Sequence, residues 1–404
     1  MPLTLLLDLD DTLLDTNMNE FLPAYFQALS NHLDRWVRPE AMLAALSSGT
    51  RQMMANEDPA LTLQEVFEQK FFSELGVERA ILRDGIDEFY DTEFKSLGAL
   101  TRRRAGAVEL VESAIGRGSR VAIATDPLFP RKATYERIRW AGLTPERFDL
   151  ISSYESFHFT KSHPAYYAEV LGRLGWPEGP VLMVGNDWER DLQRAQELGL
   201  ATFQIDGSSN ALGGGDPAAP DPRSVGHGTL DDLCRWLELH EIDLREPTFK
   251  GQAAILAILL STPAALHGLV ADLTLDEWRY EPTPDDWAMI EIVSHLRDTE
   301  REVHHAQVRT LLQETQPFVP RPDAAVWAKQ RNYLDEDGVK ATAEFIAARK
   351  QTLAQLRGLE PGVWNRSARH AIFGPTNFME VVGFMADHDR LHLQQAWRTL
   401  HARG

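Results

Sequence analysis

Four short apolar runs in the first half of the chain, residues 3–7, 121–124, 181–184 and 201–205, are separated by stretches of helical periodicity. Each run is mostly apolar and too short for a helix, as suits a strand buried on both faces. Strands of this kind alternating with helices predict a parallel α/β sheet. The interval between the first and second runs is far longer than one crossover helix needs. Within it, residues 17–100 are mostly helical in pattern with no strand-like run, and they read as a helical insertion, a cap.

The pattern changes downstream. Residues 206–228 are rich in Gly, Pro, Ser and Asp and read as a flexible loop, and residues 230–239 as a short amphipathic helix closing the first domain. From residue 249 onward long helical periodicities dominate, with turn signals at 281–285 and 358–362 and a strand only at 371–373. Four long helices predict an all-α bundle. The expected domains are therefore residues 1–240 and 247–404 of a 404-residue chain, in keeping with roughly 100 to 200 residues per domain. No internal repeat is visible.

Hydrophobic residues at 43% and charged residues at 25% are the composition of a folded protein rather than a disordered one. The net charge of −19 disfavours nucleic acid as a partner, because the one basic run, Arg102 to Arg104, is too short to overcome it. Any site for a small anion must then create local positive potential with a lysine, backbone N–H groups or a metal. A lone cysteine, Cys234, allows no internal disulfide, and acidic residues interrupt the N-terminal apolar run where a signal peptide would continue, so a cytoplasmic location is expected. The most apolar stretch, residues 253–260, falls short of the ~20 residues of a membrane span. No membrane partner is expected.

Asp8 and Asp10 close the first strand in LLLDLDDTLLD, and residues two apart on a strand face the same side. In open α/β sheets, ligands bind beyond the carboxyl ends of the strands, where these two carboxylates fall. An Asp-rich turn would look the same in isolation. The other strand and loop ends add Thr125 (VAIATD), Lys161 opening the helical run KSHPAYYAEVLGRLG, and Asp187 and Asp191 in VGNDWERD. This succession resembles the four motifs of the haloacid dehalogenase (HAD) superfamily, over nearly all of residues 1–240.

The resemblance implies an α/β Rossmann-like core with a helical cap and a magnesium-dependent hydrolase of small phosphorylated metabolites. Asp8 would be the nucleophile forming an aspartyl phosphate, and Asp10 the general acid and base. Magnesium would be held by Asp8, the main-chain carbonyl of Asp10, and Asp187 or Asp191. Thr125 and Lys161 would hold the phosphoryl oxygens. Dehalogenating members lack the acid two residues after the nucleophile, so Asp10 favours a phosphatase. The chain departs from the usual motifs at Asp126, at Ser-His-Pro after Lys161, and at Asn186, which stands where many members carry the first metal-site acid. The cap residues Tyr25, Phe26, Met53, Met54, Phe71 and Phe72 read as cap core more than as substrate contacts.

A second constellation lies in the bundle. His388 and His392 are four apart and share one helix face, the spacing of a metal chelate when a third ligand arrives from another helix. His295 could supply that ligand, whereas His304, nine residues further along, falls about half a turn away and is expected outside the site. A Trp-led helix with Ser-His-Leu-x-Asp-x-Glu and a final helix with His-x-x-x-His resemble the DinB-like four-helix bundle, over about residues 247–404. That family implies a divalent metal on three histidines with open positions, here zinc, nickel, iron or manganese, and members that are metal hydrolases or thiol-dependent transferases. Asp387, Asp389 and Glu300 are candidate partners for the imidazoles, or simply part of a solvated face. Two alternatives to the phosphatase stay open: the bundle as principal enzyme with an accessory HAD domain, or a non-catalytic scaffold. Bundle faces could also support a homodimer.

Overall fold

The computed structural model describes residues 2–206, 221–324 and 326–402. They form two compact units, Met1–Tyr167 with Glu178–Thr248, and Ala168–Pro177 with Phe249–Gly404.

In the first unit, β1 (Thr4–Leu7) leads through β2 (Leu14–Thr16) into the helices α1 (Met18–Leu33), α2 (Pro39–Met54), α3 (Leu63–Leu75) and α4 (Arg79–Asp91). A 3-10 segment, Glu93–Leu100, and β3 (Thr101–Arg103) complete the insertion. The chain continues through α5 (Ala107–Gly116), β4 (Arg120–Ile123), α6 (Arg131–Trp140), β5 (Leu150–Ile151), α7 (Pro164–Arg173), whose residues 168–173 count with the second unit, and β6 (Val181–Gly185). A π-helical turn, Trp188–Gln193, precedes α8 (Arg194–Leu198), β7 (Ala201–Ile205), β8 (Gly226–Gly228) and α9 (Leu230–His240). The sheet is parallel throughout, in the order β5-β4-β1-β6-β7-β8. Each of the four expected apolar runs supplies one of these strands. β1 is central and its four residues are buried, which is why it has no polar face. Strand order diverges to either side of β1, so the crevice at its carboxyl end is the switch point where α/β sheets bind ligands.

The insertion is helical, as its pattern predicts, with its own core built on Phe21, Phe71, Phe89 and Phe94. Its two ends are tied together by β2 and β3, an antiparallel pair that the sequence reading missed because each strand is only three residues long. The expected loop 206–228 needs correction at its far end, where β8 pairs with β7 and extends the sheet. Residues 207–220 of that loop lie outside the described residues.

The second unit is built on four long helical segments. These are α10 (Gln252–Val270), then, after the short α11 (Leu275–Trp278), α12 (Met289–Thr299), which continues through a π-helical turn, Glu300–His304, into α13 (His305–Gln313). After β9 (Phe318–Val319) and α14 (Trp327–Gln330) come α15 (Gly338–Leu356), α16 (Pro361–Trp364), β10 (Ser367–His370), β11 (Gly374–Asn377) and α17 (Phe378–His401). α10 and α12 each pack on both α15 and α17, which makes the all-α bundle. The strand expected at 371–373 is instead the turn between β10 and β11. Helix α10 is also longer than its most apolar stretch implied: by length and composition it could cross a membrane, yet 72% of its most apolar window is buried inside the protein. Its apolarity serves the bundle core.

Candidate functional site

The chain leaves β1 at Asp8 and reverses within four residues. Asp11 takes a left-handed conformation, φ 55°, which Asp tolerates better than most residues. The turn returns the Thr12 hydroxyl to Asp8, donating to Oδ2 at 2.9 Å, with Asn186 Oδ1 3.3 Å from the same hydroxyl. Asp8 is 6% exposed. Its other oxygen, Oδ1, accepts from Lys161 Nζ at 2.6 Å, and Lys161 also donates to Asp191 Oδ1 at 2.6 Å. Burial works against the Lys161 charge, yet Asp191 and Asp8 together hold its ammonium well above the ordinary lysine range. Burial, and after it the charge of Asp8, push the Asp191 carboxyl up against the pull of Lys161. Two carboxylates thus share one ammonium, an excess of negative charge and oxygen donors that suits a hard divalent cation.

The two acids left open after β6 are separated by the structure. Asp187 caps the following turn, accepting from the N–H groups of Glu189 and Arg190 at 3.0 Å, and its carboxylate lies 3.4 Å from Arg190. Asp191 is 2% exposed and accepts from the N–H groups of Asn186 and Asp187 at 3.1 and 3.0 Å. Gly185 makes that approach possible, because a Cβ there would collide with the Asp191 carboxylate. The acid that reaches Asp8 and Lys161 is therefore Asp191, with the Asn186 amide beside it, while Asp187 is occupied as a helix cap. Asp followed by a helical pattern is an N-cap signal that could have been read in advance.

Asp10 does not lie with Asp8 on Lys161. One of its oxygens accepts from the Thr16 hydroxyl at 3.1 Å and the other pairs with Arg137. Arg137, on α6, is 1% exposed, its Nε and Nη1 have no hydrogen-bond partner among the described residues, and its guanidinium lies 4.7 Å from the Phe129 ring centroid. Burial depresses its pKa to about 10. Sequence reasoning missed Arg137, since a basic residue amid the arginines of α6 looks like a solvated face. Asp126 is held by the Lys161 N–H at 3.2 Å and by Arg190 at 3.2 Å, so its charge is not aimed freely at the site. The main-chain carbonyl of Thr125 accepts from Ser152 and Tyr166, and the residue is 2% exposed. Lys161 precedes α7 by three residues rather than opening the helix.

Asp8, Asp10, Thr125, Lys161, Asp187 and Asp191 all line one cavity of about 600 Å³. Tyr25, Phe26, Phe71 and Phe72 line it as well, so these four cap residues are walls of the cavity in addition to any role in the cap core. Met53 is buried and Met54 exposed, and neither reaches it.

In the second unit, His295 on α12 meets His388 and His392 on α17, with one potential ligand nitrogen from each within 4.8 Å of the others. His295 Nε2 and His388 Nε2 are 3.1 Å apart. Trp287 walls the group, its ring parallel to that of His392 at 5.8 Å. Burial, followed by the neighbouring imidazoles, pushes the His295 pKa down to about 3 and that of His392 well below the ordinary range, and burial lowers His388. Neutral imidazoles converging from two helices fit a transition metal.

His304 is not among the three histidines that converge, as expected, but it lies nearer to them than a regular helix would place it. The π-helical turn Glu300–His304 adds a residue to the helix and rotates the downstream residues back by roughly a quarter turn relative to a regular helix. The His304 ring thereby comes within 5.5 Å of the His388 ring. His304 Nδ1 lies 2.9 Å from Glu300, which pairs with Arg349 at 2.7 Å, and Arg349 in turn pairs with Asp389. Asp389 Oδ1 is 4.0 Å from His388 Nδ1. Glu300, Arg349 and Asp389 are each fully buried, whereas Asp387 is exposed and paired with Arg390.

Residues 3–199 match the family model of haloacid dehalogenase-like hydrolases, and residues 258–396 that of the DinB superfamily. The chain joins a HAD-like hydrolase region to a DinB region. No curated protein sequence matches it. Among solved structures it is similar to a HAD phosphatase from Thermococcus onnurineus, at 18% identity over 59% of this chain and 98% of that one, TM-score 0.38. It is similar to L-2-haloacid dehalogenase from Xanthobacter autotrophicus, at 18% identity over 59% and 99%, TM-score 0.36. The DinB region is similar to YfiT from Bacillus subtilis, a four-helix bundle of unusual topology, at 18% identity over 36% and 83%, TM-score 0.33.

Proposed function

We propose that the HAD-like region is a magnesium-dependent phosphate monoester hydrolase working through an aspartyl phosphate on Asp8. The observation that supports it is the Lys161 ammonium 2.6 Å from both Asp8 and Asp191, in the cavity under the cap and with Asp10 two residues beyond Asp8. A carboxylate and a phosphoryl group repel each other, and a buried ammonium in contact with the nucleophile offsets that repulsion where water cannot.

An Asp8 oxygen attacks phosphorus, the bond from phosphorus to the ester oxygen breaks, and Asp10 passes its proton to the departing alkoxide. Water then attacks phosphorus, Asp10 takes a proton from it, and the bond to Asp8 breaks to release phosphate. Asp10 must exchange Arg137 and Thr16 for the ester oxygen during this cycle. Asp8, Asp191 and the main-chain carbonyl of Asp10 are the groups that would hold magnesium, with the Asn186 amide oxygen nearby. Magnesium would supply the additional positive charge that draws nucleophile and phosphoryl oxygens together.

The test is hydrolysis of 4-nitrophenyl phosphate with and without magnesium, for the wild type and Asp8→Asn. The reading expects magnesium-dependent turnover that falls by about a thousandfold or more in the variant, since loss of a covalent nucleophile removes the whole route. Turnover that survives the substitution would sink it.

A second reading is favoured by the converging histidines: the DinB region as a metal-dependent hydrolase or thiol-dependent transferase. His295, His388 and His392 would hold the metal and leave open positions on it. Turnover abolished by His392→Ala and indifferent to Asp8→Asn would identify it.

A further inference from the structure

The walls of the cavity above Asp8 are unlike its floor. Phe26 on α1 and Phe67 and Phe72 on α3 line it from the cap, and Phe129 lines it from the segment between β4 and α6. All four are partly buried rather than sealed in the cap interior. The charged residues on the cap side mostly answer one another: Arg79 pairs with Glu68 at 3.0 Å and Asp87 with Lys132 at 3.5 Å. Arg83 is exposed and has no ion-pair partner among the described residues, which leaves room for a polar substituent at the open side.

A cavity of about 600 Å³ has the size of a site for a drug-sized molecule. A phosphate ester of a two- or three-carbon polar alcohol would occupy a minor part of it and leave water against aromatic walls, which is unfavourable. Its phosphoryl group belongs on the floor, with Asp8 and Lys161. The rest of the volume is then available to the alcohol, and its lining rewards apolar surface and ring faces.

Resting on the phosphatase reading, we propose that the substrate is the phosphate monoester of a bulky, ring-bearing apolar alcohol, seated between Phe26, Phe67 and Phe72 of the cap and Phe129 of the core. The ring supplies binding energy far from the reacting phosphorus, which is how a remote group orients the reacting one.

The test compares 2-(2-naphthyl)ethyl phosphate with ethyl phosphate on the full-length protein with magnesium. Both are esters of primary alcohols, so leaving-group basicity is closely matched and the ratio of kcat/KM values reports recognition of the ring. The expected preference for the naphthyl ester is at least about tenfold, the yield of burying roughly 60 Å² of apolar surface, well under the area of a naphthyl ring. Phe72→Ala is expected to lower that ratio about fivefold or more, chiefly through KM, and Phe72→Leu to lower it less; circular dichroism establishes that each variant is folded. A wild-type ratio near one, or a ratio unmoved by Phe72→Ala and Phe26→Ala in folded protein, would overturn the proposal while 4-nitrophenyl phosphate hydrolysis still upheld the phosphatase. If 4-nitrophenyl phosphate and both of these esters are left intact, the phosphatase reading itself fails and the substrate class falls with it.

Discussion

Lys161 Nζ lies 2.6 Å from Asp8 Oδ1, across 153 residues of sequence, and both groups are almost fully buried. Removing one partner of such a pair leaves a charge without compensation, which costs about 3–5 kcal/mol. Lys161→Met would strand Asp8 beside Asp191. We expect the thermal midpoint to drop in metal-free buffer and to recover in part with magnesium, because a cation can replace the lost ammonium. Calorimetry with and without magnesium checks this, and a variant as stable as the wild type would contradict it.

Asp191 and Asp187 make a discriminating pair. Asp191→Asn should raise the magnesium concentration needed for activity about tenfold or more, as loss of one charged ligand implies. Asp187→Ala should leave magnesium activation intact and cost about 1 kcal/mol of stability through the lost helix cap. Magnesium titrations of both variants, alongside urea denaturation, separate the roles.

The bundle should have an acid limit set in part by Glu300. Burial opposes its ionisation, but Arg349 and His304 outweigh burial and hold its carboxyl well below the ordinary value of 4.5. A carboxyl depressed on folding contributes stability that is fully present above the unfolded value and is lost as pH falls through the folded one. Urea denaturation should therefore show the bundle weakening below pH ~4.5, with a shallower decline in Glu300→Gln. That variant should also lose about 3 kcal/mol at neutral pH, since Arg349 keeps only Asp389 as an ion-pair partner.

Metal content distinguishes the histidines. His392→Ala or His388→Ala should abolish stoichiometric binding of a divalent transition metal after dialysis. His304→Ala should keep the stoichiometry but weaken affinity about 10- to 100-fold, the usual effect of disturbing a neighbour of a ligand. Elemental analysis and competition with a chromogenic chelator read both outcomes; unchanged affinity in His304→Ala would separate His304 from the site.

The amino-acid sequence by itself determined four strands of the central sheet, the helical cap and the bundle, because burial on both faces or on one stripe writes a period into the residues. It also placed His388 and His392 on one helix face, since that spacing is a property of a single regular element, whereas Asp8 and Asp10 lie in the turn after β1, which ends at Leu7. Tertiary structure decided what spacing cannot carry. Asp10 turned to Arg137 because α6 brings a buried cation to it. Asp191, and not Asp187, reached Lys161 because the turn after β6 used Asp187 as its cap. His304 came to His388 because a π-helical turn broke the regular phase on which the sequence reading depended. Local periodicity specifies an element and its faces; which side chains meet across elements depends on packing, caps and irregular turns that no fixed period encodes.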